Sequence, residues 1–312
     1  FIALTVFSGS LALAPRWATI FISNVPKWSG KEKLFEFKIN FSIMGITRRI
    51  WVHHRTDDNE RLKAEIAIVG ASGLRSVGKI VIKELIARLK PQLLLELYSY
   101  GLPGVYYGPS YLAPPSAAGV EIGRGGIVEL PCVRFYLLKK KGIIIVDGYQ
   151  AYNPQNQYLI ADKVTDLLRE FHVKRIFSLG AQVIEEGIRC CATDTHLLVE
   201  MQAYGIKRTN VDRFIGFSGL VTAMGHDKGI EGVCLFACTS QNAADPEYPD
   251  YTAASELLVK LNEILQLEVD TSILEAKSRV ESKLREEAMR EEEKRAMRER
   301  REREQEETRG YI

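Results

Sequence analysis

The sequence predicts an α/β fold: a single domain with a central mixed sheet flanked by helices, followed by a long charged C-terminal helix. Three observations carry this. Short β-branched runs alternate with amphipathic stretches over most of the chain. Three runs, residues 126–130, 133–138 and 142–147, follow one another with only turn residues between them, and neighbouring strands of that kind make the sheet mixed rather than wholly parallel. From residue 273 glycine and proline almost vanish, and Glu, Arg and Lys interleave at helical spacings.

The elements follow in order. Ala64-Glu-Ile-Ala-Ile-Val-Gly70 reads as a strand ended by glycine, and Val77, Ile80, Val81, Leu85, Ile86 and Leu89 give the next stretch a helical period. Residues 93–98 form a second strand after Pro91, and residues 98–115, dense in Gly, Pro and Tyr, form a loop of the kind that carries function or an interface. After the three runs, residues 158–171 predict an amphipathic helix, 173–180 a strand, 196–204 a helix, 214–219 a turn into another helix, 232–238 a buried strand and 253–267 the closing helix. The expected organisation is an N-terminal extension (1–59), an α/β domain (60–272) and a charged helical tail (273–312). The tail's apolar positions, among them Leu274, Val280, Leu284 and Met297, are sparse for a coiled coil.

Composition narrows the function. The 312 residues are 46% apolar and 26% charged, which excludes collagen, simple disorder and a disulfide mini-scaffold. Forty-two Lys+Arg against 40 Asp+Glu leave a formal charge of +2, so no global field draws in nucleic acid or an anionic membrane, and neither is expected as a partner. Cys132, Cys190, Cys191, Cys234 and Cys238 lack zinc spacing, and the five histidines are dispersed; thiols in a reducing cytoplasm and no metal site are expected. The first 14 residues have the apolar run and small-residue ending of a secretory signal without its basic start. The run is shorter than the roughly 20 residues a bilayer requires, and a soluble protein is expected. Met44 is the first methionine, and translation from Met44 is the other reading of residues 1–43.

Several motifs bear on chemistry. Gly73-Leu-Arg-Ser-Val-Gly78-Lys79 sits between strand and helix, where a phosphate loop would place its glycines and lysine, but Ile80 stands where that loop needs a hydroxyl for magnesium. Close strand-to-helix packing explains the same glycines. A nucleotide- or phosphate-binding enzyme using Gly73, Gly78 and Lys79, a ligase or nucleoside-processing enzyme, is thus the alternative expectation. Asp147, Gly148, Gln150 and Asn153 lie where α/β sheets bind ligands, and equally suit a capped turn. His226 and Asp227 are adjacent in a glycine-flanked loop, and Gly216-Phe-Ser218-Gly219 only faintly echoes a nucleophile elbow.

Taken together, residues 64–78, Asp147-Gly-Tyr-Gln with residues 158–162, Ile176-Phe-Ser-Leu-Gly180, Gly216-Phe-Ser-Gly-Leu220, Gly229-Ile-Glu-Gly232 and residues 250–254 resemble the proteasome assembly chaperone family, over about residues 60–280. The resemblance implies an α/β body that self-associates, no enzymatic activity and no cofactor. It further implies a cytoplasmic protein and, in archaeal members, binding to α subunits of the proteasome core particle. Some members carry a C-terminal hydrophobic-Tyr-any motif that docks between α subunits. Tyr311 and Ile312 match its last two positions, and Gly310 replaces the hydrophobic one. A charged stalk carrying that terminus would let an oligomer present several anchors at once.

Overall fold

The computed structural model describes residues 50–56, 62–100, 102, 104–106, 117–123, 125–149, 154–183, 186–214, 216–240 and 248–284, and beyond these residues 287, 290, 291, 294 and 297. Nine strands form one mixed sheet among the described residues. They are β1 (Ile50–His54), β2 (Ile66–Gly70), β3 (Gln92–Ser99), β8 (Val133–Leu138), β9 (Ile143–Asp147), β10 (Arg175–Gln182), β11 (Ile188–Ala192), β12 (Lys207–Arg208) and β13 (Glu231–Cys238). Four shorter strands, β4 (Gly104–Tyr106), β5 (Ala117–Gly119), β6 (Glu121–Ile122) and β7 (Val128–Glu129), pair as two small hairpins. The order across the large sheet is β1-β3-β8-β9-β2-β10-β13-β11-β12.

Four central strands, β9, β2, β10 and β13, are parallel. Each is an almost unbroken apolar run because both of its faces are covered. Along β2 and β9 the side chains alternate between two cores: Ala67, Val69, Ile144 and Val146 face one, Ile68, Ile143 and Ile145 the other. The first core lies under α2 (Pro154–Glu170) and α4 (Phe217–Asp227), the second under α1 (Val77–Leu89), α3 (Thr195–Ala203) and α5 (Tyr251–Leu265). A further helix, α6, covers residues 272–284, and the described residues 287, 290, 291, 294 and 297 are helical as well.

The mixed sheet flanked by helices is as expected, and four details differ from the sequence reading. Ile50–His54 is an edge strand antiparallel to β3, so the sheet begins inside the segment expected to be an extension. Residues 126–130 do not join the sheet beside Val133. Gly125 and Gly126, both at positive φ, turn the chain so that β7 pairs back onto β6, and Pro131 interrupts continuation into β8. Strand β11 has no counterpart in the sequence reading; it takes its place by antiparallel pairing with β13. The charged tail starts on the body, with Leu274 fully buried. The five cysteines are free thiols, three of them buried.

Candidate functional site: the carboxyl edge of the sheet and the root of the tail

Strands β9, β2, β10 and β13 all end on one edge, at Asp147, Gly70, Gln182 and Cys238. The glycine turn leaves β2 here. Gly70 and Gly78 are required by packing: a Cβ on Gly70 would stand 2.6 Å from Ile82 Cγ1, and one on Gly78 2.6 Å from the Leu179 carbonyl oxygen. Gly73, by contrast, borders open space. The turn passes through two left-handed residues, Arg75 (φ 54°) and Ser76 (φ 52°), before α1 begins.

Both cations of this turn are committed internally. Lys79 Nζ forms an ion pair with Asp147 Oδ1 at 2.5 Å and donates to the Gly148 carbonyl at 3.1 Å. Arg75 is buried and donates to the carbonyls of Tyr248 (2.6 Å), Ser240 (3.2 Å) and Pro249 (3.3 Å). Its guanidinium also stands 3.5 Å from Glu281 of α6. Of the phosphate-loop candidates, Gly78 is thus filled by packing, Lys79 is turned to β9, and only Gly73 is open.

The root of the tail is built on the same edge. Asp250 caps α5 by accepting from Ala253 N at 2.9 Å, and Thr239 Oγ1 donates to it at 2.5 Å. Glu281 accepts from Tyr251 N at 2.7 Å, so two carboxylates serve the unpaired amides at one helix N-terminus. Thr252 and Ser278 hydroxyls meet at 2.9 Å, and Lys277 lies over the Tyr251 ring. Burial raises the pKa of Glu281, and burial with nearby Asp250 raises that of Glu256. Together with Glu186 and Asp250 they wall an acidic cleft of about 540 Å³. On the same helix Val280 and Leu284 are exposed. Gly310, Tyr311 and Ile312 lie outside the described residues, as do Gln150 and Asn153.

A second surface lies on the hairpin that leads into β8, whose Arg134 is the register partner of Asp147. Around the β6–β7 hairpin Val120, Ile122, Ile127, Val128 and Leu130 are exposed, Ile122 at 76%, a density that marks interaction surfaces. The hairpin is tied to the sheet by Glu129 and Arg134 at 2.7 Å, and Arg134 also donates to Glu96 at 3.1 Å. Arg55, from the loop after β1, pairs with the same Glu96, and Tyr98 donates to it at 3.1 Å.

The remaining motifs are structural in their contacts. His226 faces Asp194 at 3.7 Å instead of Asp227, and the Ser218 carbonyl accepts from Ser178 Oγ at 2.9 Å inside the core. Among the described residues no cluster of three or more His, Cys, Asp or Glu could hold a metal ion, and no helix is long and apolar enough to cross a membrane.

Residues 67–289 match the PAC2 family. The chain belongs to the PAC2 family. This is the family that the motifs of residues 64–78 and the later stretches resemble. A PAC2 chain of this length has an uncharacterised relative in Methanocaldococcus jannaschii that is 25% identical over 247 residues, covering 77% of this chain and 86% of the relative. The PAC2 fold is shared with solved structures. Pyrococcus furiosus PbaB, described as an archaeal proteasome activator, is 22% identical with a TM-score of 0.64 over 77% of this chain and 99% of its own. Pyrococcus furiosus PbaA, an archaeal homolog of proteasome-assembly chaperone, is 21% identical with a TM-score of 0.60 over 81% and 98%. A Mycobacterium tuberculosis proteasome-assembly chaperone homologue gives 15% identity and a TM-score of 0.52 over 71% and 94%.

Proposed function

We propose that this protein is a non-enzymatic, cytoplasmic partner of the proteasome core particle, an assembly chaperone or activator, that docks on the α-ring through Gly310, Tyr311 and Ile312. The observation that carries the reading is the root of the tail. Glu281 and Leu274 hold the first turns of the charged helix on the body, which gives the following residues a defined point of departure. At about 1.5 Å rise per residue a helix continuing from that root would carry the terminus well clear of the domain. The descriptions of PbaB, PbaA and the mycobacterial homologue support a proteasome partner. The buried pairing of Lys79 supports a structural role for the glycine turn.

The body self-associates, with the apolar hairpin at residues 120–130 as its contact surface, and several tails together raise avidity. The experiment is co-sedimentation of the full chain, and of a chain ending at Arg309, with the core particle of the source organism. Binding by the full chain and its loss on truncation support the anchor. Equal binding by both assigns docking to the body, and no binding by either overturns the proteasome reading.

A further inference from the structure

Cys191 of β11 and Cys234 of β13 are register partners in the antiparallel pairing of these strands. Partners of that kind project from the same face of a sheet. Here it is the α4 face, because Cys234 Sγ donates to Thr222 Oγ1 of α4 at 3.4 Å. Just past β11, Thr193 N donates to the Gly232 carbonyl at 2.9 Å, and before it the Gly187 carbonyl accepts from Cys238 N at 3.0 Å. Counted in twos from either bond, Cys191 and Cys234 are a hydrogen-bonded pair of the ladder, with Cα atoms about 5.5 Å apart. That separation lies within the roughly 4.4–6.8 Å that a disulfide spans. The two thiols hydrogen-bond to each other.

The other three thiols are placed elsewhere. Cys190 belongs to the core on the opposite face, and burial pushes its pKa up to about 11. Cys238 lies further along β13, about 13 Å from Cys234 at the rise of a strand. Cys132 precedes β8, which β9, β2 and β10 separate from β13. The pair itself is unequal. Cys191 is partly exposed and Cys234 buried. The hydrogen bond between them lowers the pKa of Cys191 and, together with burial, raises that of Cys234. Cys191 is therefore the thiolate that an oxidant meets first, with a second thiol in reach behind it.

We infer that Cys191 and Cys234 are a redox modification site, converted by hydrogen peroxide into a cross-strand disulfide that ties β11 to β13 and reopened by a dithiol. The Cys191 thiolate attacks one peroxide oxygen: an S–O bond forms, the O–O bond breaks, and the departing hydroxide takes up the proton that Cys191 gave up. The Cys234 sulfur then displaces the hydroxyl of the resulting sulfenic acid. The S–S bond forms, the S–O bond breaks, and the Cys234 proton leaves with the hydroxyl as a second water. Two thiols lose two electrons and one peroxide becomes two waters. The position gives the bond its effect, since among the described residues β12 pairs only with β11, and β11 joins the rest of the sheet through β13 alone. One covalent link fixes that whole edge, independently of the C-terminal anchor.

The test is oxidation of the reduced full chain with a slight excess of hydrogen peroxide, then alkylation under denaturing conditions and peptide mass mapping. Two of the five thiols should be lost to alkylation. One intramolecular link should join the peptides carrying Cys191 and Cys234, and dithiothreitol should restore both thiols. Cys190→Ser should keep the link. Cys234→Ser should leave Cys191 as a sulfenic acid that dimedone captures, and Cys191→Ser should slow peroxide consumption about tenfold or more. Amide hydrogen exchange in β11 and β12 should slow on oxidation and recover with the reductant. The mapping of the unaltered chain decides the matter whether or not a serine variant folds. No link, a link between other cysteines or between chains, or first oxidation at Cys132 or Cys238 overturns the site. Exchange that a formed link leaves unchanged overturns the tie.

Discussion

The Glu281 carboxylate accepts the Tyr251 backbone N–H at 2.7 Å, so a side chain from the charged helix completes the cap of the last domain helix. Removing it in Glu281→Ala should cost about 1–2 kcal/mol, read as a lowered urea midpoint. Glu281→Gln keeps an acceptor oxygen and should cost less. Limited proteolysis should open residues 267–271 in the alanine variant first; unchanged stability and cleavage would mean that the helix is not held by this bond.

Lys79 and Asp147 test what the glycine turn is for. Lys79→Met strands a carboxylate that is 7% exposed, at an expected cost of about 3–5 kcal/mol. Adding Asp147→Asn should return much of that loss, because no buried charge is left. Strict additivity of the two changes in thermal unfolding would show that the pair is not coupled.

The two glycines of the turn should respond unequally. In Gly78→Ala the new methyl meets the Leu179 carbonyl at 2.6 Å, and the overpacking should cost about 1–3 kcal/mol. Gly73→Ala meets nothing within 4 Å and its φ of 174° is ordinary extended backbone, so its effect should stay within about 0.5 kcal/mol. Equal effects in chemical denaturation would contradict the packing account.

Glu96 gives the domain a pH dependence of defined sign. Burial by itself would raise its carboxyl, but hydrogen bonds from Arg55, Arg134 and Tyr98 outweigh burial and hold it below the ordinary glutamate range. A carboxyl lowered in the folded state stabilises fully above its unfolded pKa, and that contribution is lost as pH falls through the folded value. Glu96→Gln should therefore cost about 1–3 kcal/mol near neutrality, with the gap to the parent closing on acidification below the ordinary glutamate value of 4.5. Urea unfolding at a series of pH values measures it; a gap that widens in acid would reverse the sign.

The hairpin prediction concerns assembly. Ile122→Lys with Val128→Lys places charge where the side chains are 76% and 65% exposed, so the fold should survive while self-association falls to monomer in sedimentation velocity. An assembled double variant would move the contact elsewhere on the body.

Much of the sheet was legible because strands buried on both faces must be apolar runs, as in β2, β9, β10 and β13. Strand β1 was not, since Ile50-Trp-Val-His-His shows no clean alternation and precedes a polar stretch. Ile188-Arg-Cys-Cys-Ala is likewise half polar, and only pairing with β13 makes it a strand. The site was harder to read. The glycine turn announces itself, but the contacts that settle its role, Lys79 with Asp147 and Arg75 with Glu281, join residues far apart in sequence. The side-chain bond between Gln182 and Thr209 at the end of β10 is likewise a closure that spacing along the chain does not encode.

The strand order also sets a sequence of events during synthesis. Strand β2 is the first of the four parallel strands to be made, yet its neighbours lie at Ile143–Asp147 and Arg175–Gln182, and β10 is covered in turn only by Glu231–Cys238. A ribosome must therefore release most of the domain before its middle strand is enclosed, and such distant pairings fold slowly. Nascent fragments ending before Glu231 would expose the bare edge of β10, a row of unpaired backbone groups open to pairing with other chains until β13 is made.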